Sequence, residues 1–226
     1  MLLIKKIKEN LWILRSLHKT LYLNFKCLPF KQAIKLPILL YKPKILCLKG
    51  KIKIKAEHIK TGMIQLGTYE VNIYPNCGIT IDIRGKLIFE GVCKIGNSSN
   101  ISITENAETT LGNNFAATAA LKFVNYDKIS IGSNVLIGWD CLICDYDFHT
   151  ITNILENKEY SKKGKIKIGN KVWIANGCSI MKNSEIPANT IVAAHSLINK
   201  KINVPEYSLI AGIPATIKRN NVKWEV

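Results

Sequence analysis

Residues 168–219 read IGNKVWIANGCSIMKNSEIPANTIVAAHSLINKKINVPEYSLIAGIPATIKR. From Ile168 an aliphatic residue returns every six positions: Ile168, Ile174, Ile180, Ile186, Val192, Ile198, Val204 and Ile210, eight in succession. Four residues after each stand Val172, Cys178, Ser184, Thr190, Ser196, Ile202, Ser208 and Pro214, mostly small or β-branched. A period of six fits neither an α-helix, at about 3.6, nor a lone amphipathic strand, at about 2. It fits a solenoid of short strands with one aliphatic side chain per face pointing inward and a tight turn at each corner.

The period extends toward the N-terminus with interruptions. Ile131, Ile137 and Ile143 keep it, and more loosely so do Val71, Cys77, Ile83, Phe89, Ile95, Ile101 and Ala107. The register slips between 107 and 131 and breaks again between 148 and 168. The second break, HTITNILENKEYSKKGKIK (149–167), is polar and charged, as a loop ejected from the solenoid would be.

The chain has 226 residues, 47% of them hydrophobic, enough for one sizeable core and too apolar for a disordered chain. Its net charge of +16 is uneven. Residues 1–60 hold 15 Lys and Arg against Glu9 and Glu57, a net +13, which leaves residues 61–226 near neutral. Two parts follow: a basic N-terminal segment (1–60) and a β-helical domain (61–226) with its ejected loop (149–167). In the first, Leu3, Ile7, Leu11, Leu14 and Leu21 alternate with Lys5, Lys8, Arg15 and Lys19 as the apolar stripe and basic face of a helix. Two readings stand for it: packing on the β-helix or a neighbouring subunit, or meeting the anionic inner face of the cytoplasmic membrane. No apolar run reaches the ~20 residues needed to span a bilayer, and no signal sequence is legible, so a cytoplasmic protein is expected. Seven scattered cysteines, an odd number, argue against a disulfide framework. The basic segment lacks a nucleic-acid reading motif, and no nucleic-acid partner is expected.

The hexads, in the form Ile or Val, Gly or Ala, two free positions, then a small residue, resemble those of the hexapeptide-repeat (isoleucine-patch) acyltransferases. Three segments carry the resemblance: IGSNVLIGWDCLICDYDFHTI (131–151), IGNKVWIANGCSIMKNSEIPANTIVAAHSLI (168–198) and VPEYSLIAGIPATIKR (204–219). It covers roughly residues 65–220. The run from Asp145 to His149 looks most like the branch that O-acetylates polysaccharides and sugars. The resemblance implies an all-β, left-handed parallel β-helix assembled as a homotrimer, with acetyl-CoA as cosubstrate and no metal.

Acyl transfer to a hydroxyl needs a base that is neutral near pH 7, and imidazole suits that role. Of His18, His58, His149 and His195, His149 opens the ejected loop and matches the family's catalytic position. Asp147 is expected to orient it, and Asp145 and Trp139 to contact the sugar. The resemblance assigns Trp173, Ala175 and Asn176 to the thioester end of acetyl-CoA, and Ala193 and Ala194 to the pantetheine arm. Lys200, Lys201, Lys218 and Arg219 stand near the end of the solenoid, where cation–phosphate pairing would hold the nucleotide. Cys141, Cys144 and Cys178 stand in hexads, where packing is the better reading than nucleophilic chemistry. The expected activity is O-acetylation of a sugar hydroxyl in capsule, O-antigen or exopolysaccharide synthesis. The competing readings are an acyltransferase for a small acceptor (antibiotic, amino acid or nucleotide sugar) and a non-catalytic β-helical scaffold. A zinc carbonic anhydrase on the same solenoid is rejected for want of a close His pair.

Overall fold

The computed structural model describes residues 2–69 and 71–225, with side chains from Arg15 onward. Most strands fall into three parallel sheets of nine, seven and six strands, and the chain visits each sheet in turn. This is a left-handed β-helix of triangular section. Face one begins with Ile38–Leu40, Ile64–Thr68 and Cys93–Gly96, face two with Pro43–Leu48 and Ile79–Ile83, and face three with Lys51–Ile54 and Lys86–Phe89. The first coil therefore starts at Ile38, inside the stretch that composition groups with the basic segment. Its strands read KILCL and KIKI, whose outward lysines mask the inward Leu48, Ile52 and Ile54.

The aliphatic residues six apart stack in register. On face one Ile137, Ile174, Val192 and Ile210 pair in succession, and on face two Ile143, Ile180 and Ile198 do the same. All seven are fully buried. Leu111, Ala117, Phe123 and Ile129 hold the six-residue step through the stretch where sequence alone loses it, with a change of phase at each end. Val71 and Cys77 are not hexad positions: they lie in an excursion between Thr68 and Ile79. The period ends after Gly212, where Ala215–Arg219 folds back antiparallel on Leu209–Gly212 and leaves Pro214 exposed.

Two corners are tight turns built on left-handed backbone. Between faces one and two these are Ser98, Ala120, Asp140, Gly177 and His195; between faces three and one, Asn114, Asn134, Lys171, Asn189 and Tyr207. Asparagine tolerates this conformation best among side-chain-bearing residues, which accounts for three of the five in the second set. The remaining corner, between faces two and three, ejects the loop. It leaves after Leu142–Cys144, is pinned by a bridge from Tyr146 to Lys163, carries a hairpin of Thr152–Asn153 with Lys158–Glu159, and rejoins face three at Ile166–Ile168.

The open N-terminal end is covered by helix α1 (Leu2–Cys27) and the short α2 (Phe30–Ala33). An exposed first coil would leave a row of unpaired backbone groups. The amide of Asn24 both accepts from Ile38 N–H (3.2 Å) and donates to Ile38 C=O (2.8 Å). Thr20 Oγ1 accepts from Leu40 N–H and Ser16 Oγ from Lys42 N–H, while Lys19 Nζ donates to Pro43 C=O. Polar side chains four residues apart thus face the solenoid beside Leu23, all of them buried. Of the expected apolar stripe only Leu21 has a described side chain, and it points outward; Leu3, Ile7, Leu11 and Leu14, with Lys5 and Lys8, fall outside the described side chains.

Candidate active site

The loop-ejecting corner gathers the titratable and aromatic side chains. Asp145 ends the strand that starts the loop. It is fully buried, and its two carboxylate oxygens accept from Tyr126 N–H (2.6 Å) and Asp127 N–H (2.9 Å) of the coil below. Burial pushes the Asp145 carboxyl above its ordinary value, and the two N–H donors only partly offset this. With both oxygens occupied, Asp145 fastens one coil to the next instead of contacting a sugar as expected.

Stacking of successive coils puts Tyr126 and Tyr146 ring on ring, with centroids 4.1 Å apart and planes 12° from parallel. Phe148 stands edge-on to both, at 5.8 and 5.6 Å, and is exposed. Asp147 forms an ion pair with Lys182 at 2.5 Å and donates its N–H to Lys162 C=O. The expected Asp147–His149 contact is therefore not made: the carboxylate is committed to Lys182, one coil further on. His149 follows Phe148 at the mouth of the loop, exposed and without a hydrogen bond among the described residues. Both ring nitrogens are open to a ligand.

The residues expected to meet the cofactor lie elsewhere on the prism. Ala175 and Asn176, and Ala193 and Ala194 one coil on, occupy the corner between faces one and two, with Trp139 one coil below Asn176. His195 closes its turn through N–H to Asn176 C=O, and its ring covers Gly177. A Cβ on Gly177 would lie 2.4 Å from His195 Nδ1, and φ there is +69°, so only glycine fits. Trp173 projects from face one and leans on Trp224 of the C-terminal tail, with centroids 6.2 Å apart and the Trp224 indole donating to Lys171 C=O. Beneath that tail runs a cavity of about 530 Å³, walled by Leu136, Lys171, Tyr207, Lys223 and Trp224.

The expected phosphate cations do not form one cluster. Lys218 and Arg219 are on the returning strand beside face one, exposed and without an ion pair among the described residues. Lys200 is equally free, but it follows Leu197–Ile198 at the corner between faces two and three, and Lys201 is paired with Glu185 at 3.1 Å. Cys141 and Cys178 stack in consecutive coils, fully buried, their thiols donating to Ala175 and Ala193 carbonyls. The neighbouring Cys178 and burial push the Cys141 thiol up, and both cysteines are packing residues.

Sequence reasoning missed Lys182, Tyr126 and Trp224. The signal for Tyr126 was its distance of 20 residues from Tyr146, about one coil, hidden by the phase shift between them. Among the described residues no group of three His, Cys, Asp or Glu converges on a point.

No protein-family model matches the chain. A Klebsiella pneumoniae protein known as the uncharacterized 24.8 kDa protein in cps region is 28% identical over 192 residues, which is 83% of this chain and 84% of that protein. The galactoside O-acetyltransferase of Escherichia coli (strain K12) is 26% identical over 148 residues, 62% of this chain and 69% of that enzyme. The crystal structure of the polySia specific acetyltransferase NeuO shares the fold, with a TM-score of 0.51 and 22% identity over 81% of this chain and 82% of that one. The chain is thus similar in sequence to a sugar O-acetyltransferase and in fold to a second acetyltransferase, in keeping with the resemblance its hexads carry.

Proposed function

We propose that the protein is an O-acetyltransferase that moves the acetyl group of acetyl-CoA to a hydroxyl of a sugar in a bacterial capsule, O-antigen or exopolysaccharide, working in the cytoplasm. One observation carries the reading: His149 is an exposed imidazole, without a hydrogen-bond partner among the described residues, at the mouth of the long loop that leaves the corner between faces two and three. Its free nitrogen takes the proton of the acceptor hydroxyl as that oxygen attacks the thioester carbonyl. The tetrahedral intermediate collapses by breaking the C–S bond, and the imidazolium returns its proton to the departing CoA thiolate. No covalent acyl-enzyme forms.

The chain's own residues fit the cosubstrate. Ala193 and Ala194 leave a corner without bulk for the pantetheine arm, with Trp173, Ala175 and Asn176 toward the thioester. Lys218 and Arg219 are free cations for the phosphates, and Lys200 serves a different edge. His149 and these residues lie at different corners of one prism, so a single site requires a neighbouring copy to bring its His149 against this chain's alanine corner. The functional unit in this reading is the homotrimer. Contact with the inner membrane through the N-terminal segment belongs to the same reading.

The test is release of free thiol from acetyl-CoA with a panel of oligosaccharide acceptors, for the wild type and His149→Ala. Acetyl ester formed by the wild type and lost in the variant supports the proposal. Transfer that survives in the variant overturns it.

A further inference from the structure

From Arg15 to Cys27, helix α1 is amphipathic the wrong way round for a helix on a water-soluble surface. Its solenoid side carries Ser16, Thr20 and Asn24 with Leu23, all buried, because the open coil beneath needs hydrogen-bond partners more than apolar cover. The apolar residues are left outside. Leu21, Tyr22 and Phe25 of α1, with Phe30 and Ile34 at and after α2, are between 37% and 71% exposed, and the rings of Phe25 and Phe30 meet at 6.1 Å. Water-soluble surfaces scatter such residues singly; a contiguous set marks an interface.

Charge decides what covers it. Arg15, Lys26, Lys31 and Lys35 are exposed around the patch, and from Arg15 to Ala56 the chain has 11 Lys and Arg and no Asp or Glu. Two copies of this face would bring like charges together, with no acidic side chain from Arg15 to Ala56 to neutralise them. An anionic bilayer supplies what the face lacks: aromatic rings settle at the headgroup level, and lysines reach the phosphates with their stems in the apolar layer. We propose that the α1–α2 end is a docking surface for an anionic lipid bilayer, which the helices enter side-on, with the prism standing away from the membrane. This deepens the reading above, since an enzyme held there would meet acceptors at the membrane.

The experiment uses the full-length protein and needs no activity. Sedimentation with phosphatidylcholine vesicles containing one quarter phosphatidylglycerol is compared with pure phosphatidylcholine, for the wild type, the triple variant Tyr22→Ser/Phe25→Ser/Phe30→Ser and the triple variant Lys26→Glu/Lys31→Glu/Lys35→Glu. All six side chains are exposed, and unchanged melting checks that the fold is kept. The expected result is binding to the anionic vesicles, at least tenfold weaker to the neutral ones and at least tenfold weaker for each variant. Wild type that fails to bind, or variants that bind like wild type, overturns the proposal. So does a fall in oligomeric state for the serine variant by ultracentrifugation, which would assign the patch to a second copy. Loss of vesicle binding leaves thiol release with soluble sugars untouched, so this proposal and the acetyltransfer reading fail separately.

Discussion

Asp147 and Lys182 are joined by an ion pair that ties the first residues of the ejected loop to the next coil, two residues before His149. Because the carboxylate is committed to the lysine, its effect on the histidine runs through the loop. Asp147→Asn and Lys182→Ala are each expected to lower kcat by about tenfold or less, well short of the ~10²–10⁴ of a lost general base. Both variants should be cleaved faster by trypsin within the loop at Lys158, Lys162 and Lys163. The pair is partly solvated, so melting is expected to move little.

For His149→Ala the expected fall in kcat is ~10²–10⁴, with the KM for acetyl-CoA and the melting temperature near wild type. Initial-rate kinetics with acetyl-CoA varied, and calorimetry of both proteins, check it.

Asp145 makes a stability prediction with a definite sign. Its folded-state pKa is raised by burial, so the folded chain holds the proton more tightly than the unfolded one. The stability this contributes is complete below the ordinary aspartate range and is lost as pH climbs through the raised value. Melting of the wild type relative to Asp145→Asn is expected to decline as pH rises from 3 to 7. At every pH the asparagine, which offers one acceptor oxygen to two buried N–H groups, costs about 1–3 kcal/mol.

Asn24→Ala removes both partners of Ile38 and uncaps the first coil. Two backbone groups then lie buried without partners, at a cost of about 2–4 kcal/mol. At this chain length that lowers the melting temperature by roughly 5–15 °C, read by calorimetry.

Phe148→Ala tests the aromatic cluster beside His149. An exposed ring braced edge-on by two stacked tyrosines offers a face to the C–H side of a sugar. The acceptor KM is expected to rise about tenfold by initial-rate kinetics, with the KM for acetyl-CoA changed less than twofold.

The solenoid was legible in the sequence because a stacked coil imposes one constraint at every turn: an aliphatic residue that fits the narrow interior. Ile168 to Ile198 obey it without interruption, and seven of the eight hexad aliphatics are buried, Val204 only partly, where the last coil opens. The ejected loop was legible as a break in that constraint, and so was the placement of His149 at its mouth. What sequence left open depends on which coil lies against which. Asp145 bonding to Tyr126 and Asp127, Asp147 pairing with Lys182, and Tyr126 stacking on Tyr146 all join residues 18 to 35 apart, across phase shifts and a loop that no period carries. The first coil was hidden because its outward lysines set the local composition. The polar inward face of α1 from Arg15 onward was not legible because a helix pattern counts apolar residues, whereas the end of a β-helix presents backbone amides and carbonyls, and only tertiary structure brings Ser16, Thr20 and Asn24 to them.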